Sequence, residues 1–402
     1  MTLLALVKSI SFYTNNMNRI ILIGNGFDLA HGLPTSYKDF INWYWDEWIE
    51  KLRNCYKAIE EDKLCSFEIM KSSGYGYWQS VFQFLPPEFW NLNGYDAIEK
   101  INSYHQLCRF ESCTFLRNIC QSINTKGWVD IENEYYKLLR QIATHYTSNP
   151  DRSSQEAAEL NNELDFLASK LTEYLTQIQN KYLTKAQNIN PEIEELIFED
   201  IKDDDISIET TAKLKTMTDN IDQFDDKFPN RTILLNFNYT KTADIHNIKN
   251  ELLEIKTNYI HGDLSNPANI IFGYGDELDD DFKNILNLND NNMLKEIKSV
   301  RYLETDNYRN LLEFIESDLF QIYIMGHSCG NSDRTLLNTL FEHKNCVTIK
   351  PFYHEREDGT DDYMNIVQNI MRNFNDMKMM RDRVVNKTRC QSLPQMNLQA
   401  NS

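Results

Sequence analysis

The chain has 402 residues, 41% hydrophobic and 12% aromatic, which supplies a large core and excludes intrinsic disorder. Its 60 acidic side chains against 41 basic ones leave a net charge of −19, so the surface repels phosphate backbones and anionic lipid. Neither nucleic acid nor a membrane is expected as a partner.

Residues 1–7 are apolar, but Lys8 interrupts them and no basic residue precedes them. They are expected to be neither a secretory leader nor a spanning helix, and Met17 offers a second start just before the first strong element. Residues 19–23 (RIILI) form an unbroken β-branched run, the pattern of a strand buried on both faces. Ser36 is placed to cap a long helix that carries Trp43, Trp45 and Trp48. From 37 to 230 the pattern is mostly helical. Leu160, Leu164, Leu167, Leu171, Leu175, Ile178 and Tyr182 make one apolar stripe, which predicts a core-facing seam. The acidic run 199–205 lacks the spacing of a calcium loop and reads as a solvated turn. Strand patterns return at 232–237, 257–260, 269–272, 321–325 and 346–349, with helical stretches at 306–319 and 332–342 between them. The polar tail beyond 387 is expected to be disordered.

This alternation predicts an α/β fold with a Rossmann-like, doubly wound parallel sheet and a large helical insertion. The expected division is 17–36 as the first βα unit, 37–230 as the insertion, 231–386 as the remainder of the sheet domain, and 387–402 as the tail. The eight cysteines include no Cys-x-x-Cys pair and read as buried thiols of a reducing, cytoplasmic setting, with no metal predicted.

The glycines are clustered. Gly24, Gly26, Gly32, Gly262, Gly273, Gly275, Gly326 and Gly330 fall in short loops, each just after a predicted strand. In open α/β sheets ligands sit beyond the carboxyl ends of the strands, so these loops predict a shared crevice. The loop at 24–28 follows a strand and opens a helix, where backbone N–H groups can cradle a pyrophosphate; a tight βα turn explains it equally well. Leu29 breaks the Gly-x-Gly-x-x-Gly dehydrogenase fingerprint.

Residues 23–37 (IGNGFDLAHGLPTSY) resemble the opening motif of the AbiH abortive-infection family. Residues 128–132 (WVDIE), 236–240 (NFNYT), 259–263 (YIHGD) and 326–328 (GHS) resemble its later blocks, in its order. A more distant resemblance is to sirtuin-like NAD-binding domains. Gly24, Gly26 and the Gly32-Leu33-Pro34 run have the spacing of the sirtuin cofactor loop. Asn238 and the His261-Gly262 pair fall where sirtuins carry their asparagine and their catalytic histidine. Residues 326–333 (GHSCGNSD) resemble the Gly-Tyr-Ser block of sirtuin-like defence enzymes. Thr240 departs from the usual aspartate, and the zinc-binding cysteine pairs of deacylases are missing.

The resemblance implies phage defence by binding, and by hydrolysis, of NAD as substrate or ligand at the nicotinamide–ribose bond. Asn238 and His261 are then the catalytic pair. Gly24, Asn25, Gly26, Phe27, Asp28, Pro34, Gly262, Gly326, Ser328 and Asp333 line the dinucleotide, with Ser328 and Asp333 on the adenosine side. Helix capping by Asp28 is the competing reading of that residue. A phage-derived trigger and a second copy of the chain stay open as partners, as do the roles of Asp130 and Glu132. Two rival functions remain: a non-catalytic NAD or ADP-ribose sensor acting through the insertion, and a serine hydrolase. In the latter, Gly326-His-Ser328-Cys-Gly330 is a nucleophile elbow, with His354 and one of Asp333, Asp361 or Asp362 as partners.

Overall fold

The computed structural model describes residues 17–396 except 84, 86–91, 93, 184–189, 208–209, 212–227 and 250–253. The apolar start at 1–7 and the end of the tail at 397–402 lie outside the described residues. In chain order the strands are β1 (Met17–Ile23), β2 (Ile59–Glu61), β3 (Cys65–Ile69), β4 (Cys108–Ser112), β5 (Thr232–Asn236), β6 (Ile248–Lys249), β7 (Glu254–Tyr259), β8 (Leu319–Met325) and β9 (Cys346–Phe352). The chain divides into two units. One is built from the stretch ending at Leu33, from Tyr182–Ile271 and from Arg301 onward; the other comprises Pro34–Lys181 and Phe272–Val300.

The first unit holds a six-stranded sheet in the order β6-β7-β5-β1-β8-β9. Every pair is parallel except β6 with β7, an antiparallel edge that the sequence pattern did not announce. Counted along the chain, the five parallel strands lie in the order 3-2-1-4-5, reversing between β1 and β8. Ile20 and Leu22 face a layer formed by helices Asn307–Ser317, Arg334–Phe341 and Tyr363–Arg372. Ile21 and Ile23 face the opposite layer, with helices Asn25–Ala30 and Pro191–Ile197. Covering both faces is what requires β1 to be apolar at consecutive positions.

Three expectations are corrected in this unit. The acidic run 199–205 is not simply solvated: Lys350, buried on β9, lies 2.8 Å from Asp205 Oδ2 and 3.4 Å from Glu199 Oε1. A buried ammonium must have counter-charges, and these two carboxylates supply them. Residues 269–272 are not a strand. Tyr239 donates its hydroxyl to Ile271 O (3.1 Å) and the Ile271 N–H bonds His261 O (2.9 Å), so the run is apolar because it is buried and not because it is paired in a sheet. The tail is placed as far as residue 396: Leu393 is buried, its N–H bonds Tyr353 O, and the Met396 N–H bonds Ala30 O.

In the second unit Ser36 caps helix Tyr37–Arg53, as its position predicts, by a reciprocal box with Asp39. The leucine stripe is buried along helix Pro150–Tyr182, from Leu160 to Ile178. A small antiparallel sheet, β2-β3-β4, interrupts what the pattern predicts to be mainly helix. Its strands are short and half polar, with Cys65, Phe67 and Ile69 of β3 and Cys108 of β4 buried. Asp130 caps helix Ile131–His145 by accepting from the Asn133 N–H. Glu132 is buried, 2.8 Å from Lys298 Nζ, and its other oxygen accepts from the Gly273 N–H. Among the described residues no helix is long and apolar enough to cross a membrane.

Candidate functional site

Register brings the strand ends of the first unit level. Ile23 pairs with Asn236 and Met325, and Asn236 with Tyr259. The loops that leave β1, β5, β7 and β8 therefore start at one edge of the sheet.

The loops after β1 and β8 touch backbone to backbone. The Gly26 N–H donates to Gly326 O (2.9 Å) and the Gly24 N–H to Met325 O (3.3 Å). Gly326 has φ 74°, and a Cβ there would stand 2.1 Å from Phe27 N. No other residue type fits that position. Here the glycines serve the close approach of two loops, and the Gly26 N–H is committed to its neighbour.

Asp28 does not cap its helix; Gly24 holds the N-cap position. The Asp28 side chain is buried and accepts from Thr240 Oγ1 at 2.5 Å, while among the described residues Oδ1 has no hydrogen-bond partner. Burial pushes its carboxyl up to about 6, against the opposing hydrogen bonds of Thr240, Thr242 and Asn238. Asn238 reaches the same loop: its Nδ2 donates to Gly24 O (2.9 Å) and its backbone N–H to Asn236 Oδ1 (2.9 Å).

Beside Asp28, two histidines form a buried pair. His31 Nδ1 donates to Phe27 O (2.8 Å), which leaves its Nε2 to accept from His246 Nε2 at 3.3 Å. Desolvation lowers both, His246 to about 3, and among the described residues His246 Nδ1 has no hydrogen-bond partner.

His261 follows β7 and is only 3% exposed. Its Nε2 lies 3.3 Å from Asp333 Oδ1 and 3.2 Å from the Tyr302 hydroxyl. The second Asp333 oxygen faces His327 Nε2 at 3.5 Å. The Phe237 ring, just past β5, packs against both imidazoles, with centroids 4.1 Å from His327 and 5.3 Å from His261. Gly262, at φ 80°, lets the chain pass within 2.3 Å (measured from a notional Cβ) of Asn269 O.

Gly24, Gly26, Phe27, Asp28, Asn238, His261, Gly262, Gly326 and Asp333 thus come from loops at one sheet edge. Asn25 and Ser328 are exposed there. Pro34 begins the second unit, where its carbonyl accepts from the Tyr174 hydroxyl. The positive φ that would strain a serine nucleophile falls instead on Cys329 (54°). Asp333 is held by His261 and His327, and His354 binds Asp362 through its backbone N–H, so the proposed serine triad is not assembled from these pairs. Thr240, His246, Tyr302 and His327 were not selected from the sequence as site residues. Only His327, inside the GHS block, and Thr240, two residues past Asn238, carried any signal.

The family described as bacteriophage abortive infection AbiH matches residues 20–354. The chain belongs to the AbiH family. No curated protein and no solved structure matches it. For this AbiH chain the family points to a role in abortive infection of phage-infected cells. The match runs from β1 to just past β9 and so takes in the loops after β1, β5, β7 and β8.

Proposed function

We propose that this AbiH protein acts in phage defence by hydrolysing NAD at the nicotinamide–ribose bond. The observation that carries the reading is the placing of Asn238 and His261 at one strand-end edge, Asn238 bonded to the first glycine loop and His261 backed by a buried carboxylate. The strand order is a second support. An order of 3-2-1-4-5 is that of doubly wound, Rossmann-like dinucleotide-binding sheets, whose ligands lie where the order reverses. The loops after β1 and β8 leave from that point.

In this reading Gly24, Asn25, Gly26 and Phe27 border the phosphates. Gly262, Gly326 and Ser328 line the cleft, and Asp28 faces the ribose. Asn238 holds a ribose hydroxyl, since its amide donates and accepts at once. The C1′–N bond breaks with its electron pair going to the nicotinamide ring, which leaves neutral. Water adds at C1′ and gives a proton to His261, which passes it to solvent. The products are nicotinamide, ADP-ribose and one proton. With the proton on His261 Nε2, which faces Asp333 Oδ1 at 3.3 Å and the Tyr302 hydroxyl at 3.2 Å, the basic nitrogen is Nδ1, and the carboxylate stabilises the imidazolium that forms.

The test is nicotinamide release from NAD by the purified protein, with and without lysate of phage-infected cells. Release that falls about 10²-fold or more in His261→Ala and Asn238→Ala supports the reading. No release under any condition, from a protein that still protects cells, overturns it. Saturable NAD binding without release would favour the sensor.

A further inference from the structure

The turn after β8 carries more than Ser328. Positive φ angles at Gly326 (74°) and Cys329 (54°) fold it back on itself, and the Cys329 N–H donates to His327 Nδ1 at 3.0 Å. A backbone N–H is only a donor, so His327 Nδ1 must present its lone pair. The neutral ring then carries its proton on Nε2, the atom that faces Asp333 Oδ2 at 3.5 Å. The other Asp333 oxygen faces His261 Nε2 at 3.3 Å. All three side chains are buried, and Phe237 packs on both rings.

We infer that Asp333 and His327 form a positioning pair for His261. This rests on the reading of His261 as the general base. Asp333 holds the proton on His261 Nε2 and so directs the basic Nδ1 toward the reacting water. His327 donates to the second carboxylate oxygen. An imidazole N–H on each side favours the charged form of a carboxylate over its protonated form. His327 is not itself the base: its Nδ1 is engaged by the Cys329 N–H and its Nε2 faces Asp333.

Two measurements decide the point, and the first needs no substrate. Nitrogen-15 spectra of histidine-labelled protein should show single Nε2–H tautomers for both His327 and His261. Asp333→Asn, which leaves one acceptor for two donors, should remove the fixed tautomer from one of the two rings. Finding His327 protonated at Nδ1, or both rings unaltered in Asp333→Asn, overturns the proposal. The second measurement is turnover. Asp333→Asn should lower kcat about 10²-fold with KM unchanged. His327→Gln, whose amide can still donate to Asp333, should retain most of the rate that His327→Ala loses. Equal rates in these two His327 variants would reduce His327 to a space-filling role and refute its part. If the wild-type chain releases no nicotinamide, the hydrolase reading fails, and the tautomers alone decide whether Asp333 positions the two imidazoles.

Discussion

The Asp28 carboxyl and the His246 imidazole lie on neighbouring elements and pull stability in opposite directions with pH. Burial raises Asp28 from 3.8 to about 6, so the native state binds its proton more tightly than the unfolded chain. Stability from this group is full below pH 3.8 and is lost as pH rises to about 6, amounting to about 3 kcal/mol at neutrality. His246 is lowered from 6.5 to about 3, so its contribution is full above pH 6.5 and is lost as pH falls toward 3. His31, lowered by the same desolvation, acts in the same sense as His246. Asp28→Asn keeps the Thr240 bond and removes the carboxylate. The variant should therefore unfold at a higher temperature than wild type at pH 7–8. Its stability should also rise steadily with pH between about 4 and 6.5, where only the histidine slope remains. Thermal unfolding across that range checks both. A variant less stable than wild type at neutrality would show that the buried carboxylate is compensated. A stabilised variant that no longer releases nicotinamide would show why the penalty is kept.

Among the elements, the glycine loops combine two separable effects. Gly326 and Gly359 share a left-handed φ, 74° and 77°, but a Cβ on Gly326 meets Phe27 N at 2.1 Å while one on Gly359 meets nothing within 4 Å. Gly359→Ala should therefore cost only the left-handed strain, about 1 kcal/mol. Gly326→Ala should cost that plus the forced separation of the loops after β1 and β8, about 3 kcal/mol or more. Urea unfolding of the two variants reads the difference, and equal losses would mean the loops part freely. The sequence located these glycines, since they cluster after apolar runs, but it suggested a different purpose for them. Expected to approach a ligand, Gly26 and Gly326 approach each other. Periodicity also located β1, β5, β7, β8 and β9. It misread 269–272 because a buried irregular segment and a buried strand have the same composition, and it passed over β2, β3 and β4 because short, half-polar strands leave little alternation to detect.

At the scale of the whole molecule, a chain of net charge −19 pairs two buried lysines with carboxylates in place, Lys350 with Asp205 and Glu199 and Lys298 with Glu132. Its thiols are similarly quiet. All eight cysteines are free, only Cys113 and Cys390 are partly exposed, and burial raises even those two to about 12. A thiol reagent at pH 8 should find no fast-reacting group in the native protein and eight after denaturation, and a fast native thiol would contradict this burial. Composition, apolar periodicity and motif order are properties of the chain read locally. By themselves they determined the α/β class, the parallel sheet, the helix cap at Ser36, the buried leucine seam and the family. Tertiary structure alone decided which side chains meet. The Asp333 contact with His261, the Asp28 bond to Thr240 and the His31–His246 pair join residues from separate loops, the last two across more than 200 positions. The physical reason is that a hydrogen bond between distant residues leaves no period in the sequence. It exists only once strands of fixed register bring their ends to one edge.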